Sequence, residues 1–143
     1  MGFCFILIMS NSDLYNIFLK NPHVCTDSRN IIPGGIFFAL SGEHFNGNKF
    51  ALDAISKGCS FAVIDDVKFN SGHNMILVDN VLKTLQDLAK IHREKLTIPV
   101  IGITGTNGKT TSKELIRSVL KSSMNCYATK GNLNNHIGVP LSI

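Results

Sequence analysis

Residues 100–115 read VIGITGTNGKTTSKEL. An apolar run, Val100, Ile101 and Ile103, enters a glycine-bearing turn, and Lys109, Thr110 and Thr111 follow at once. The pattern behind them has helical periodicity. A strand, a glycine turn and a helix in that order commit this part of the chain to an α/β architecture. They also commit the turn to a chemistry. Gly105 and Gly108 lack Cβ, so the backbone can bend tightly and bring its N–H groups onto phosphate oxygens. The helix N-terminus adds partial positive charge. Lys109 can reach the β and γ phosphates of a nucleotide, and a hydroxyl of Thr110 or Thr111 can ligate Mg²⁺. The candidate phosphate site is therefore Gly105, Thr106, Asn107, Gly108, Lys109, Thr110 and Thr111, with Thr110 as the metal ligand. Against the full pattern G-x-x-x-x-G-K-[ST], position 103 carries Ile103, and the glycine stands at Gly105 instead. The motif is a shortened P-loop. The plainer alternative is a βα turn with a surface lysine. No G-x-G-x-x-G is present, which speaks against a dinucleotide.

The rest of the chain narrows the partners. Of the 143 residues, 44% are hydrophobic and 17% charged, a globular composition. The net charge of +4 and pI near 9.0 come from scattered lysines and arginines rather than a basic run. A small anionic ligand fits that balance, and a nucleic-acid surface has little support. The cysteines at 4, 25, 59 and 126 form no C-x-x-C pair, so neither a zinc site nor a redox pair is indicated. They read as small buried apolar side chains in a reducing compartment. Seven apolar residues follow Met1 and Gly2, with no preceding basic residue and no small-residue cleavage site. The run is far shorter than the roughly 20 residues a membrane span needs. Translation is expected to begin at Met9, which makes residues 1–8 a mis-called extension.

From Met9 onward the chain alternates strand and helix signals. Ser12 and Asp13 offer an N-cap to a helix with Leu14, Ile17 and Phe18 on one face, ended by Pro22. A short extended piece, a turn at Asp27-Ser28-Arg29 and another at Pro33-Gly34-Gly35 lead to a strand over Ile36–Leu40. A polar loop, 41–50, precedes a helix through Ala51, Ala54 and Ile55 that Gly58 closes. SFAVID and MILVD read as strands. Asn80 caps a long helix with Val81, Leu85, Leu88 and His92 on its core side. Pro99 marks a boundary. Beyond it, Val100–Thr104 is a predicted strand, the helix runs from about Thr110 to Lys121, and NCYAT (125–129) is the next parallel strand. That second unit stops after little more than one βαβ repeat, too little to cover both faces of a parallel sheet. The sequence is expected to be a fragment, or to lean on a partner.

ITGTNGKTT, residues 103–111, closely resembles the ATP loop of the Mur ligase family, whose members form amide bonds by first phosphorylating a carboxylate. TDSRNIIPGGIFFALSG, residues 26–42, resembles the family's UDP-substrate segment. His44, Phe45, Asn46 and Gly47 fall where the family has a G-E-x-F-D-G-H loop. Asn46 replaces the usual aspartate there and Asn48 the usual histidine. GNLNNHIGVPL, residues 131–141, is similar to a G-N-x-N-N-x-I-G-x-P-L segment of the branch that adds a D-alanyl-D-alanine dipeptide.

The resemblance covers the chain from about Leu14 to Ile143, and it implies a small α/β UDP-substrate domain over 9–98 and the start of a parallel-sheet P-loop ATPase domain over 99–143. It implies ATP and Mg²⁺, UDP-MurNAc-tripeptide and D-Ala-D-Ala as partners, no nucleic acid, no stable membrane association, a monomer and a cytoplasmic location. By the same resemblance Ser28, Arg29, His44, Asn134 and Asn135 bind substrate, and Lys109 serves phosphoryl transfer. The second metal site, adenine contacts and dipeptide domain are expected beyond Ile143, so residues 1–143 alone are expected to lack ligase activity. Two alternatives stay open. One is a family member that adds a diamino acid. The other is a non-catalytic protein that binds a UDP-sugar or nucleotide.

Overall fold

The computed structural model describes residues 9–72, 74–129, 131 and 133–143; the expected extension 1–8 and Asn132 lie outside them. Helix α1 spans Asn11–Lys20, strand β1 Val24–Cys25 and β2 Ile36–Phe38. A hairpin of β3 (Ser41–Gly42) and β4 (Phe45–Asn46) follows, then a 3-10 turn, Gly47–Phe50, and α2, Ala51–Ser56. Strands β5 (Phe61–Ile64) and β6 (Met75–Leu77) precede α3, Val81–Lys95, and α4, Lys109–Lys121. The main sheet is parallel with strand order β1-β2-β5-β6.

Strand alternation decides what each face packs against. Ile36, Phe38, Val63 and Ile76 point to one side, where Leu14 of α1 and Val81, Leu85 and Leu88 of α3 cover them. Phe37, Ala62 and Ile64 point to the other, against Ala51 and Ala54 of α2, with Cys25 and Cys59 in the same cluster. Burial of both faces explains why β2 reads as an unbroken apolar run rather than an alternating one. Each fully buried Ile, Leu, Val or Phe contributes roughly 1.5–3 kcal/mol. The Sγ atoms of Cys25 and Cys59 lie 3.7 Å apart as free thiols. Burial first, then the neighbouring Cys25, pushes the Cys59 thiol up to about 12, which keeps it protonated and inert.

Several local expectations hold. Asn80 caps α3 by accepting the Lys83 N–H at 2.7 Å, and Gly58 follows α2 at φ +109°. His92 sits between Tyr15 and Phe18 under α1. Others need correction. The α1 cap is Ser10, not Ser12 or Asp13. Its hydroxyl accepts the Asp13 N–H at 3.2 Å and donates to the Asp13 carboxylate at 2.6 Å, a reciprocal pair that neither later residue can make. Strand β2 ends at Phe38 rather than Leu40. The largest difference lies past Pro99. Neither 100–104 nor 125–129 is a strand, because neither run has a neighbouring chain to pair with among the described residues. Val100 and Ile101 are 58% and 61% exposed, and Leu115 and Val119 of α4 also face solvent.

The segment expected as a polar loop, 41–50, is an ordered hairpin and turn organised by Asn48. That side chain is 3% exposed. Its Nδ2 donates to Asp65 Oδ1 at 2.8 Å and Asn46 Oδ1 at 3.0 Å, and its Oδ1 accepts the Asp65 N–H at 3.0 Å. Asp65 Oδ2 in turn accepts the N–H of Val81, the first residue of α3, at 3.2 Å. An amide is required here, since it must donate and accept at once.

Gly47 passes so close to the chain before it that an added Cβ would lie 2.1 Å from the Leu40 carbonyl oxygen, whereas a Cβ at Gly42 would meet open space. Gly47→Ala should lower unfolding free energy by about 1–3 kcal/mol in urea titration, with Gly42→Ala close to neutral. Asn48→Ala should cost a similar amount, about 1–3 kcal/mol, by leaving buried partners unpaired. Asn48→Asp, though isosteric, should be at least as harmful at neutral pH and recover in part as acid restores its missing donor.

Candidate functional site

Two regions carry the residues picked out by sequence. The first is the turn before α4. Gly108 is the N-cap of that helix at φ +75°, a left-handed conformation that a side chain strains, and Gly105 has φ +146°. Gly108 has no side chain to cap α4, and the partial positive charge of a helix N-terminus favours an anion there. The loop 104–108 is exposed. Lys109, the first residue of α4, curls back over the loop, its Nζ donating to the carbonyl of Gly105 and lying 3.4 Å from that of Thr106. The ammonium is therefore folded back onto the loop rather than extended into solvent. Thr110 and Thr111 follow within the first helical turn. No cluster of three or more acidic, histidine or cysteine side chains suited to a metal occurs among the described residues. A Mg²⁺ held by one hydroxyl, phosphate oxygens and waters needs no such cluster, so Thr110 fits as its protein ligand.

The second region is a cleft of ≈520 Å³ lined by Thr26, Asp27, Ser28, Arg29, Phe37, Phe45 and Phe50. Phe45 and Phe50 stack with ring centroids 5.5 Å apart and planes 12° from parallel, both partly in solvent. They present an aromatic edge beside the hydroxyl of Ser28 and the guanidinium of Arg29. The Ser28 carbonyl is held by Lys57 Nζ at 2.9 Å, which fixes the turn from below. Arg29 makes a forked pair with Asp27, Nε to Oδ1 at 2.9 Å and Nη2 to Oδ2 at 2.7 Å. That pairing holds the Asp27 carboxyl well below the usual carboxylate range, first through the Arg29 side chain and then its backbone N–H, and raises Arg29 in return. The Arg29 side chain is nevertheless 85% exposed, and Nη1 takes no part in the fork. His44 lines a neighbouring cleft of ≈500 Å³ with Asn46, Asn48 and Asp65, and Phe45 borders both.

Thus Ser28 and Arg29 share one cleft and His44 faces the next, while Asn134 and Asn135 line neither. Asn135 is spent on its own turn: its Oδ1 accepts the N–H groups of Ile137 at 3.1 Å and Gly138 at 2.7 Å. Asn134 is exposed, and its amide makes no hydrogen bond to the described residues. Phe45, Phe50, Lys57 and Asn48 have no site role on sequence alone, though Phe45 and Asn48 fall in the family's loop pattern. Two phenylalanines in an otherwise polar stretch were the available signal for the first pair. Asn48 and Lys57 act through Asp65 and Ser28, 17 and 29 residues away, which no local pattern displays.

The profile of the Mur ligase middle domain matches residues 103–143. The UDP-N-acetylmuramoyl-tripeptide–D-alanyl-D-alanine ligase of Synechocystis is 41% identical over 127 residues, covering 87% of this chain and 28% of that protein. The Bacillus subtilis ligase of the same name is 42% identical over 122 residues, 84% of this chain and 27% of its own length. The crystal structure of the MurF ligase of Thermotoga maritima in complex with ADP superposes with a TM-score of 0.75 at 31% identity, over 87% of this chain and 29% of that one. The chain therefore spans under a third of the length of these relatives. With the phosphate turn matched in sequence and the parallel α/β unit matched in structure, the chain belongs to the Mur ligase family.

Proposed function

We propose that the protein carrying this chain is an ATP-dependent ligase that joins D-Ala-D-Ala to UDP-MurNAc-tripeptide for the cell wall, and that residues 9–98 and 99–143 are its UDP-substrate domain and the start of its ATP-binding domain. The observation that carries this reading is the left-handed Gly108 turn leading straight into α4, with Lys109 folded back onto the loop carbonyls. It supports a nucleotide phosphate site in a chain whose relatives are named for this reaction. The ADP in the Thermotoga maritima structure points the same way.

In this reading the loop N–H groups and Lys109 hold the β and γ phosphates, and Thr110 holds Mg²⁺, which supplies charge neutralisation when bound. The tripeptide carboxylate accepts the γ-phosphoryl group and becomes an acyl phosphate. The amine of D-Ala-D-Ala attacks that carbonyl carbon, phosphate leaves with the C–O bond electrons, and an amide remains. The chain's own contribution is alignment and electrostatics. The cleft of Ser28, Arg29, Phe45 and Phe50 suits the UDP end: an aromatic edge for the base, a hydroxyl for its polar rim and a guanidinium for the diphosphate. His44 borders the same loop. Asn134 offers a free amide to the sugar or peptide. The protein works as a cytoplasmic monomer, binding neither nucleic acid nor membrane stably. Among the described residues no helix is long and apolar enough to cross a membrane.

Coupled measurement of ADP release by the complete protein tests the reading. Turnover should require UDP-MurNAc-tripeptide and D-Ala-D-Ala together. Turnover with a diamino acid in place of the dipeptide would assign the protein to another branch, and none with any amine would leave a binding protein. Lys109→Ala should lower kcat by about 10²–10³-fold, as loss of one charge-stabilising donor does elsewhere, with a smaller change in KM for the UDP substrate. Retention of the full rate would remove Lys109 from phosphoryl transfer.

A further inference from the structure

Helix α4 carries two lysines on one face, a turn apart. Lys109 serves the phosphate loop. Lys113 does something else. Its side chain is only 15% exposed, and its Nζ donates to the Thr129 carbonyl at 2.6 Å while the Gly131 carbonyl lies at 3.4 Å and Glu114 Oε1 at 3.2 Å. Three oxygens meet the three donors of one ammonium. Because Lys113 grips backbone carbonyls, the side chains at 129 and 131 do not enter. The chain just beyond is then fastened from the opposite side. Gln86 of α3 donates to the His136 carbonyl at 3.1 Å, and Leu141 packs against the core face under α1 and α3. Between the two fastenings Asn135 closes its turn, and Asn134 is left exposed.

We propose that Lys113 and Gln86 are positioning residues that clamp the 133–139 segment between the nucleotide helix and the UDP-substrate unit, setting Asn134 toward bound substrate. Neither side chain contacts reacting atoms; both act through the segment they hold. The substrate part of this inference rests on the function proposed above, and the clamp itself does not.

Lys113→Met and Gln86→Leu in the complete protein test it, read by amide hydrogen exchange and by steady-state kinetics. Lys113→Met keeps the aliphatic stem, and Gln86 is only half-buried, so Gln86→Leu leaves the core intact. Each variant should speed exchange at Ile137, Gly138 and Val139 and raise KM for UDP-MurNAc-tripeptide, by about tenfold, the size expected for one lost hydrogen bond to a charged or well-placed donor. ADP affinity should stay within about twofold, since the phosphate loop is untouched. Lys113→Arg should recover most of the exchange protection, having donors enough for both carbonyls. Unchanged exchange at 137–139 in both variants would overturn the clamp. Faster exchange with unchanged KM would overturn the positioning role. Faster exchange throughout α4 with loss of ADP affinity would make Lys113 a structural residue only. Should the unaltered protein turn over no UDP-tripeptide, the functional reading fails by itself, and the exchange result still decides the clamp.

Discussion

The pairing of Asn48 with Asp65 joins three parts of the chain that sequence keeps apart. Asn48 sits in the turn just after the hairpin that carries Phe45, Asp65 follows β5, and the second oxygen of Asp65 caps the first N–H of α3. A buried amide can accept from one neighbour and donate to another, so a single side chain fixes the hairpin to the sheet and the sheet to the helix. The aromatic pair over the Ser28–Arg29 turn has a fixed position only because that loop has one. The helix so anchored, α3, also supplies Gln86, which reaches the segment holding Asn134. Removing the amide therefore loosens the cleft before it loosens the core.

In the proposed reading the two candidate sites hold phosphate by different means. At residues 105–111 the donors are backbone N–H groups and a helix terminus, with Lys109 as the mobile charge. At residues 26–29 the donors are side chains on a turn, and the cation is already balanced by Asp27. A ligand at the second site must share Arg29 with that carboxylate, or engage Nη1 alone.

What sequence displays and what it hides divide along the range of the interactions. The α3 helix was legible because its cap, Asn80, and its apolar face lie within one stretch. The glycine turn before α4 was legible because its glycines and the start of the helix stand next to each other in the chain. The cap of α1 was misplaced by two residues, since serines at 10 and 12 offer the same chemistry and only the reciprocal bond with Asp13 separates them. The run Val100–Thr104 has strand composition, yet a strand is defined by its partner, and composition names none. Asn48, Lys57, Lys113 and Gln86 matter through residues 16 to 50 positions away, and the neighbours of each in the chain give no hint of that partner. Substituting asparagine for the family's histidine at 48 read as a departure. In the structure it is the amide that the loop needs.

In the proposed reading this chain holds two nucleotide ligands at separate places, ATP at residues 105–111 and the UDP end of a substrate in the cleft of Ser28, Arg29, Phe45 and Phe50. Mapping of amide chemical shifts in the complete protein, with ADP alone and then UDP alone, tests it most directly. ADP should move the amides of 105–112 and leave 26–29 and 41–50 in place, and UDP should do the reverse. Both nucleotides perturbing one loop, or UDP leaving the aromatic cleft unmoved, would contradict the account.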